Sequence, residues 1–370
     1  ASTAEVKKAQ KEFLELEKRV RSADSAVNRI SKSAKGFSLG NISSGIKDLV
    51  GAFGLTLGVT AFAAGLKDAF QTITQFEQSI ANLSAITGAS GKDLAFLRNS
   101  AIEMGQGVKG GAKAVAEAYT LIASAKPELL ENVQALNQVT EAVVTLSQAS
   151  GLELPNAAKS LSDALNQFGA GADEASKFVD VLAAAAKFGA AEIPSLTEAI
   201  LRFGAVAKST NVSIQESAAL VELLAENGLK GAKAGTALRN ILLKISAPDA
   251  LPRRAREAIE RLGISMETLK DKTIPVQEKL EALKPLLKDN ANVVKVFGLE
   301  NSVAALNILS HTERLADLTE KVDKNGIALE QAALRTDTII GKTDKLGASY
   351  DSLILSLDNG TGPVSEFFKV

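Results

Sequence analysis

The 370-residue sequence has no cysteine and no tryptophan, one histidine, two methionines and two tyrosines. Without cysteine there is no disulfide framework, no thiolate nucleophile and no thiolate metal site. A lone histidine, His311, rules out a two-histidine metal site or a histidine relay; beside Thr312 and Glu313 at a helix start it reads as a surface residue. Aromatic residues make up 4% of the chain, too few to line a large ligand pocket. An excess of either charge is also missing, because 42 Lys and Arg stand against 43 Asp and Glu. Nothing therefore draws the chain to nucleic acid, and a cluster such as Arg253, Arg254 and Arg256 reads as solvated surface. The polar, charged start carries no signal-peptide pattern. Strand patterns are absent too: Ile274-Pro275-Val276 and Val293-Val294 are short and lack period-two flanks.

What is present favours helix everywhere. Alanine, leucine, glutamate and lysine dominate, and the expected fold class is all-α. Residues 1–35 predict a coiled-coil helix. Val6, Phe13, Val20 and Val27 hold one seam position, and Ala9, Leu16, Ala23 and Ile30 hold the other, with charged residues between. A 3.6-residue period would drift over four such heptads, and this pattern does not.

Residues 36–87 predict an apolar, glycine-rich helix and its continuation. Its centre, Leu49 to Leu66, is eighteen residues without a charge. As a helix it would be about 27 Å long, the lower limit for a bilayer span, but its glycines and threonines oppose insertion. Gly51, Gly54, Gly58, Ala61 and Gly65 share one helix face, where small residues admit another backbone. This face and the heptad predict self-association through residues 1–87.

Residues 88–310 predict a multi-helix compact region of helical hairpins, and 311–370 further C-terminal helices. Ser90 with Asp93 reads as a capping box for a helix to Met104. Further helices are expected at 112–125, 128–149, 155–168, 173–187, 195–209 and 214–226, the last capped by Ser213 with Glu216. Others follow at 235–246, 250–262, 275–289 and 292–309. Segments 155–189 and 194–228 form a weak repeat, each opening on proline (Pro155, Pro194) and containing Phe-Gly (Phe168-Gly169, Phe203-Gly204). The abrupt ends at Ala1 and Val370 suggest a piece of a longer protein.

Two glycine-rich motifs invite a cofactor reading and neither supports one. Gly105, Gly107 and Gly110 match G-x-G-x-x-G, but a helix end precedes them where the dinucleotide fold needs a strand. Gly228 to Thr236 lacks the Gly-Lys-Ser/Thr ending of a phosphate loop. The expectation is no enzyme, no metal and no cofactor.

Four further stretches act in combination. They are Phe76 to Ser90; Asn211-Val212-Ser213-Ile214 with the run Gly231 to Asn240; Leu262-Gly263-Ile264; and Val296-Phe297-Gly298-Leu299-Glu300. In this order, over about 75–320, they resemble the conserved region of phage tail tape-measure proteins. Gly231 and Gly235 predict a chain reversal. Thr236 is expected to cap the helix that Ala237 and Leu238 begin, with Arg239 reaching acidic neighbours or carbonyls. These residues, with Phe297 and Gly298, form a structural motif.

The resemblance implies a virion protein of the tail lumen, made in the bacterial cytoplasm. It implies a protein that sets tail length and is released during DNA ejection. Implied partners are the tail tube protein, tail tip or baseplate proteins and tail assembly chaperones. All residues in one helix would reach about 555 Å, yet the proline and glycine stops divide 88–310 into short helices. The alternative is a membrane-active or pore-forming helical protein that uses 49–66 to help DNA cross the host membrane, making that membrane a partner.

Overall fold

In the computed structural model, residues 59–338, 347–349, 351–352 and 354–355 are described, and every element among them is helical. The heptad seam and Gly51, Gly54 and Gly58 lie outside the described residues; Ala61 and Gly65 fall in the helical backbone of α1, Val59–Thr87. The chain divides into two units, Gln75–Leu353 and a second made of Ala1–Thr74 with Ile354–Val370.

The end of α1 buries Phe76, Ile80 and Leu83, spaced one helical turn apart. α2 (Gly91–Gly105) follows, and its Arg98 lies over the Phe76 ring and pairs with Glu77 at 2.8 Å. Ser90 stands at the N-cap of α2 as expected but makes no side-chain cap bond, so the predicted capping box is absent. The G-x-G-x-x-G run is the turn between α2 and α3 (Gly111–Ala125).

Then come α4 (Val133–Ser150), α5 (Leu154–Phe168), α6 (Ala175–Phe188), α7 (Ile193–Ser209), α8 (Ile214–Glu226) and α9 (Gly231–Ser246). The odd-numbered helices pack in succession, α3 on α5, α5 on α7 and α7 on α9; α4, α6 and α8 make a second row beneath them. Helical hairpins stacked in two rows bury a continuous core that no single hairpin could bury. The two-copy repeat is therefore part of a longer stack.

The smaller helices α10 (Arg253–Arg261), α11 (Met266–Lys270), α12 (Val276–Leu283), α13 (Asn290–Phe297) and α14 (Leu299–Ser310) complete the α9 end. α15 (Thr312–Val322) and α16 (Ile327–Thr336) return to cover the second row, α15 on α6 and α8, α16 on α4 and α6.

Three expected helices are divided. The segment 128–149 begins as a 3-10 turn at Pro127–Leu129 and becomes α-helical only after Asn132, whose side chain accepts from the Ala135 N–H at 2.9 Å. The segment 275–289 passes from α12 into a 3-10 turn, Lys284–Lys288, where Pro285 lacks the N–H that an α-helix needs. The helix expected over 292–309 is broken at Gly298, whose φ of +79° lies where a side chain would be strained; α13 and α14 meet there at 119°.

Candidate functional site

The motif residues gather around α8, α9 and the Gly298 elbow. The chain reversal expected at Gly231 and Gly235 lies earlier, in the Asn227–Lys230 turn. Gly231 is the first residue of α9, with φ +56°, and Gly235 and Thr236 sit inside the helix. Gly235 serves close packing instead: a Cβ there would lie 2.3 Å from the Ala199 carbonyl oxygen and 2.8 Å from Arg202 Cβ on α7. Thr236 is accordingly no N-cap. Leu238 is fully buried beside that crossing, while Arg239 points to solvent and makes no ion pair among the described residues.

The next turn of α9 reaches the elbow. Lys244 Nζ donates to the Phe297 carbonyl at 2.5 Å and lies 3.7 Å from Glu300, and Asn240 donates to Asn301 at 3.2 Å. Asn301 in turn donates to the Phe297 carbonyl at 3.0 Å. Phe297 itself is fully buried. The helix break at Gly298 frees that carbonyl, and α9 satisfies it. Two motifs sixty residues apart in sequence are thus one joint.

The Asn211–Ile214 motif is a second joint. Asn211 adopts φ +61°, and its Nδ2 donates to the Lys272 carbonyl at 3.0 Å. Ser213 and Glu216 form the expected capping box, with Val212 and Ile214 buried. An open depression of about 390 Å³ lies here, lined by Phe168, Lys208, Asn211, Ser213, Glu216 and Thr273 among others. The Phe-Gly pair of the repeat plays two parts: Gly169 ends α5, whereas Gly204 lies within α7, where a Cβ would come 2.7 Å from Gln167 Cβ.

Two charged residues that the sequence reading left out prove central. Lys126 is almost fully buried after α3; its ammonium donates to Asn166 Oδ1 and the Ala170 carbonyl, both at 3.1 Å, and pairs with Glu128 at 2.5 Å. The hydrogen bond and charge of Lys126 hold the Glu128 carboxyl below its ordinary range. Glu222 is fully buried on α8, and burial pushes its carboxyl up to about 7 against the pull of backbone hydrogen bonds from Ala191 and Ala190. Its one sequence signal is its place inside the apolar run Leu220-Val221-Glu222-Leu223-Leu224.

His311 is exposed, 2.8 Å from the Asn307 carbonyl. Among the described residues no group of three His, Cys, Asp or Glu could hold a metal ion. No single described helix is long and apolar enough to cross a membrane; α13 and α14 together would be, but they are bent and bury Val293, Val296, Phe297, Ile308 and Leu309 in the core. The geometry is that of joints between helices, with polar side chains spent on backbone groups.

Residues 98–328 match the family described as phage-related minor tail protein. That match runs from the middle of α2 to the first residues of α16, takes in both joints, and starts after the Phe76–Ser90 stretch. Among curated relatives, the tape measure protein of Pneumococcus phage Dp-1 is 28% identical over 344 residues, which are 90% of this chain and 29% of that protein. The probable tape measure protein of Escherichia phage P2 is 27% identical over 312 residues, 81% of this chain and 37% of the relative. The chain thus spans about a third of the length of these relatives. No solved structure matches. The chain belongs to the phage-related minor tail protein family, as a phage tail tape-measure sequence.

Proposed function

We propose that this chain is the folded helical region of a tape-measure protein. That protein sets tail length, occupies the tail-tube lumen after assembly from the bacterial cytoplasm and leaves ahead of the DNA. Its partners in this reading are the tail tube protein, tip or baseplate proteins, assembly chaperones and further copies of itself through residues 1–87. The carrying observation is the family match across 98–328, a segment that holds both joints of one compact unit.

This compactness divides the labour. A ruler must gain length in proportion to residues, about 1.5 Å for each residue of helix. α4, the longest helix wholly inside the unit, has 18 residues, about 27 Å, and its neighbours fold back beside it. The unit is therefore an end-piece that engages tail proteins, and the ruler is helix outside it. The relatives, about three times as long as their matched parts, have room for one.

Electron microscopy of tails from phage with altered tape-measure genes tests this reading. Deleting whole helical turns outside 75–353 is expected to shorten tails by about 1.5 Å per residue removed. Gly235→Leu, which collides with α7, is expected to lower the number of tails without changing their length. Unchanged length after the outside deletions would sink the ruler assignment. Light scattering of the chain with and without residues 1–58 tests self-association, and a smaller particle is expected without them. The cut belongs at 58 rather than 87, because 76, 80 and 83 are core positions of the compact unit.

A further inference from the structure

The connection between α6 and α7, Phe188 to Ala191, is held by three charged side chains from three places in the fold. Glu222 of α8 accepts from the Ala191 N–H at 2.8 Å. Lys230, in the turn before α9, donates to the Ala190 carbonyl at 2.6 Å. Arg314 of α15 reaches the Phe188 carbonyl at 3.5 Å while bridging to Glu226. The fit is close, for a Cβ at Gly189 would lie 2.0 Å from Glu222 Oε2 and 2.5 Å from Glu222 Cγ.

This clasp is built around a carboxyl in an unfavourable place. Glu222 is fully buried, and its Oε1 has no hydrogen-bond partner. Among the described residues four buried side-chain atoms are orphaned in this way, and three belong to α8: Gln215 Oε1, Ser217 Oγ and Glu222 Oε1. A buried charge with half its hydrogen-bonding capacity unmet is costly, and a neutral carboxyl much less so. The charged groups around it do not settle the matter. Glu226 on the same helix opposes ionisation and Lys230 favours it. Arg314 is engaged by Glu226 and Asp317. Lys187 closes α6 beside the connection, and Glu192 is the N-cap of α7.

We propose that the 188–191 connection is a proton-controlled hinge: neutral Glu222 clasps it, and ionisation of Glu222 releases it locally, ahead of the rest of the core. The mechanism needs only that the open state exposes the carboxyl to water, where it ionises freely. Opening then becomes easier as pH rises from the ordinary carboxylate range to about 7, and no easier above that. Nothing in this inference depends on the tail role.

Hydrogen exchange of the whole chain, corrected for the intrinsic pH dependence of exchange, provides the test. Between pH 5.5 and 7.5 the amides of 189–193 are expected to lose protection about 20-fold, and at each pH to stay well below the protection of the α4 amides, which open only with the whole core. Glu222→Gln keeps the side chain's size and an acceptor for Ala191, and is expected to abolish that loss. Equal pH dependence in Glu222→Gln and wild type, or protection of 189–193 as high as that of α4, overturns the proposal. Lys230→Met gives a second reading should Glu222→Gln fail to fold. It removes the cation that favours ionisation, so the loss must begin at the same pH but continue to a higher one before levelling off; an unmoved upper limit overturns the proposal.

Discussion

Gly235 shows how far a single position can mislead. As sequence it lies four residues after Gly231 and looks like half of a turn; in the fold it is the contact point of α9 with α7. Gly235→Ala is expected to destabilise the chain by about 2–3 kcal/mol in urea denaturation, because the methyl must displace the Ala199 backbone. Thr236→Ala, one residue on, should cost less than about 0.5 kcal/mol, since Thr236 caps nothing. Glu222 carries the residue-scale pH dependence. Its folded carboxyl stays protonated at pH values where the unfolded one has ionised, so ionisation favours unfolding. Stability is fully kept below about 4.5 and falls until about 7, by up to ~3 kcal/mol. Melts of wild type against Glu222→Gln across pH 4 to 8 should diverge by that amount toward the alkaline end. Lys126→Met is expected to cost about 1–3 kcal/mol at every pH in that range, because it strands the Ala170 carbonyl and Asn166 Oδ1.

Helix by helix, boundaries were legible wherever a local chemical signal fixed them. α8 runs from Ile214 to Glu226 as the sequence reading has it, because Ser213 and Glu216 satisfy each other's backbone donors. Ser90 and Asp93 share the pattern without the side-chain bond. Ser213→Ala should therefore lower stability by about 1 kcal/mol and Ser90→Ala by only a few tenths, both readable as shifts in denaturation midpoint. The boundaries that went wrong lie where local and tertiary preferences compete. α9 starts four residues early because Gly231 tolerates φ +56° and the α7 contact rewards helix there. The 292–309 helix breaks at Gly298 because Lys244 and Asn301 take the freed Phe297 carbonyl. No propensity scale contains those partners.

For the molecule as a whole, the hairpin repeat visible at 155–189 and 194–228 was the only trace of the stacked architecture. The neighbouring hairpin α3–α4 obeys the same packing without the same letters, since a stack demands apolar faces rather than particular residues. The candidate site was legible in part. Of the motif residues, Gly235 packs against α7 and Phe297 and Gly298 form the elbow, whereas Thr236 caps nothing and Arg239 points to solvent; neither the pairing of 231–240 with 297–301 nor the clasp on 188–191 has a sequence signature, because each unites residues more than thirty positions apart. By itself the sequence determined the all-helical class, the positions of most helices and the family, because these follow from periodicity, capping and residue order along one chain. Only the tertiary structure decided which glycines turn the chain and which admit a neighbouring helix, which charges are buried, and that the motifs meet. Those outcomes depend on side chains brought together from distant positions, which fold energetics alone selects.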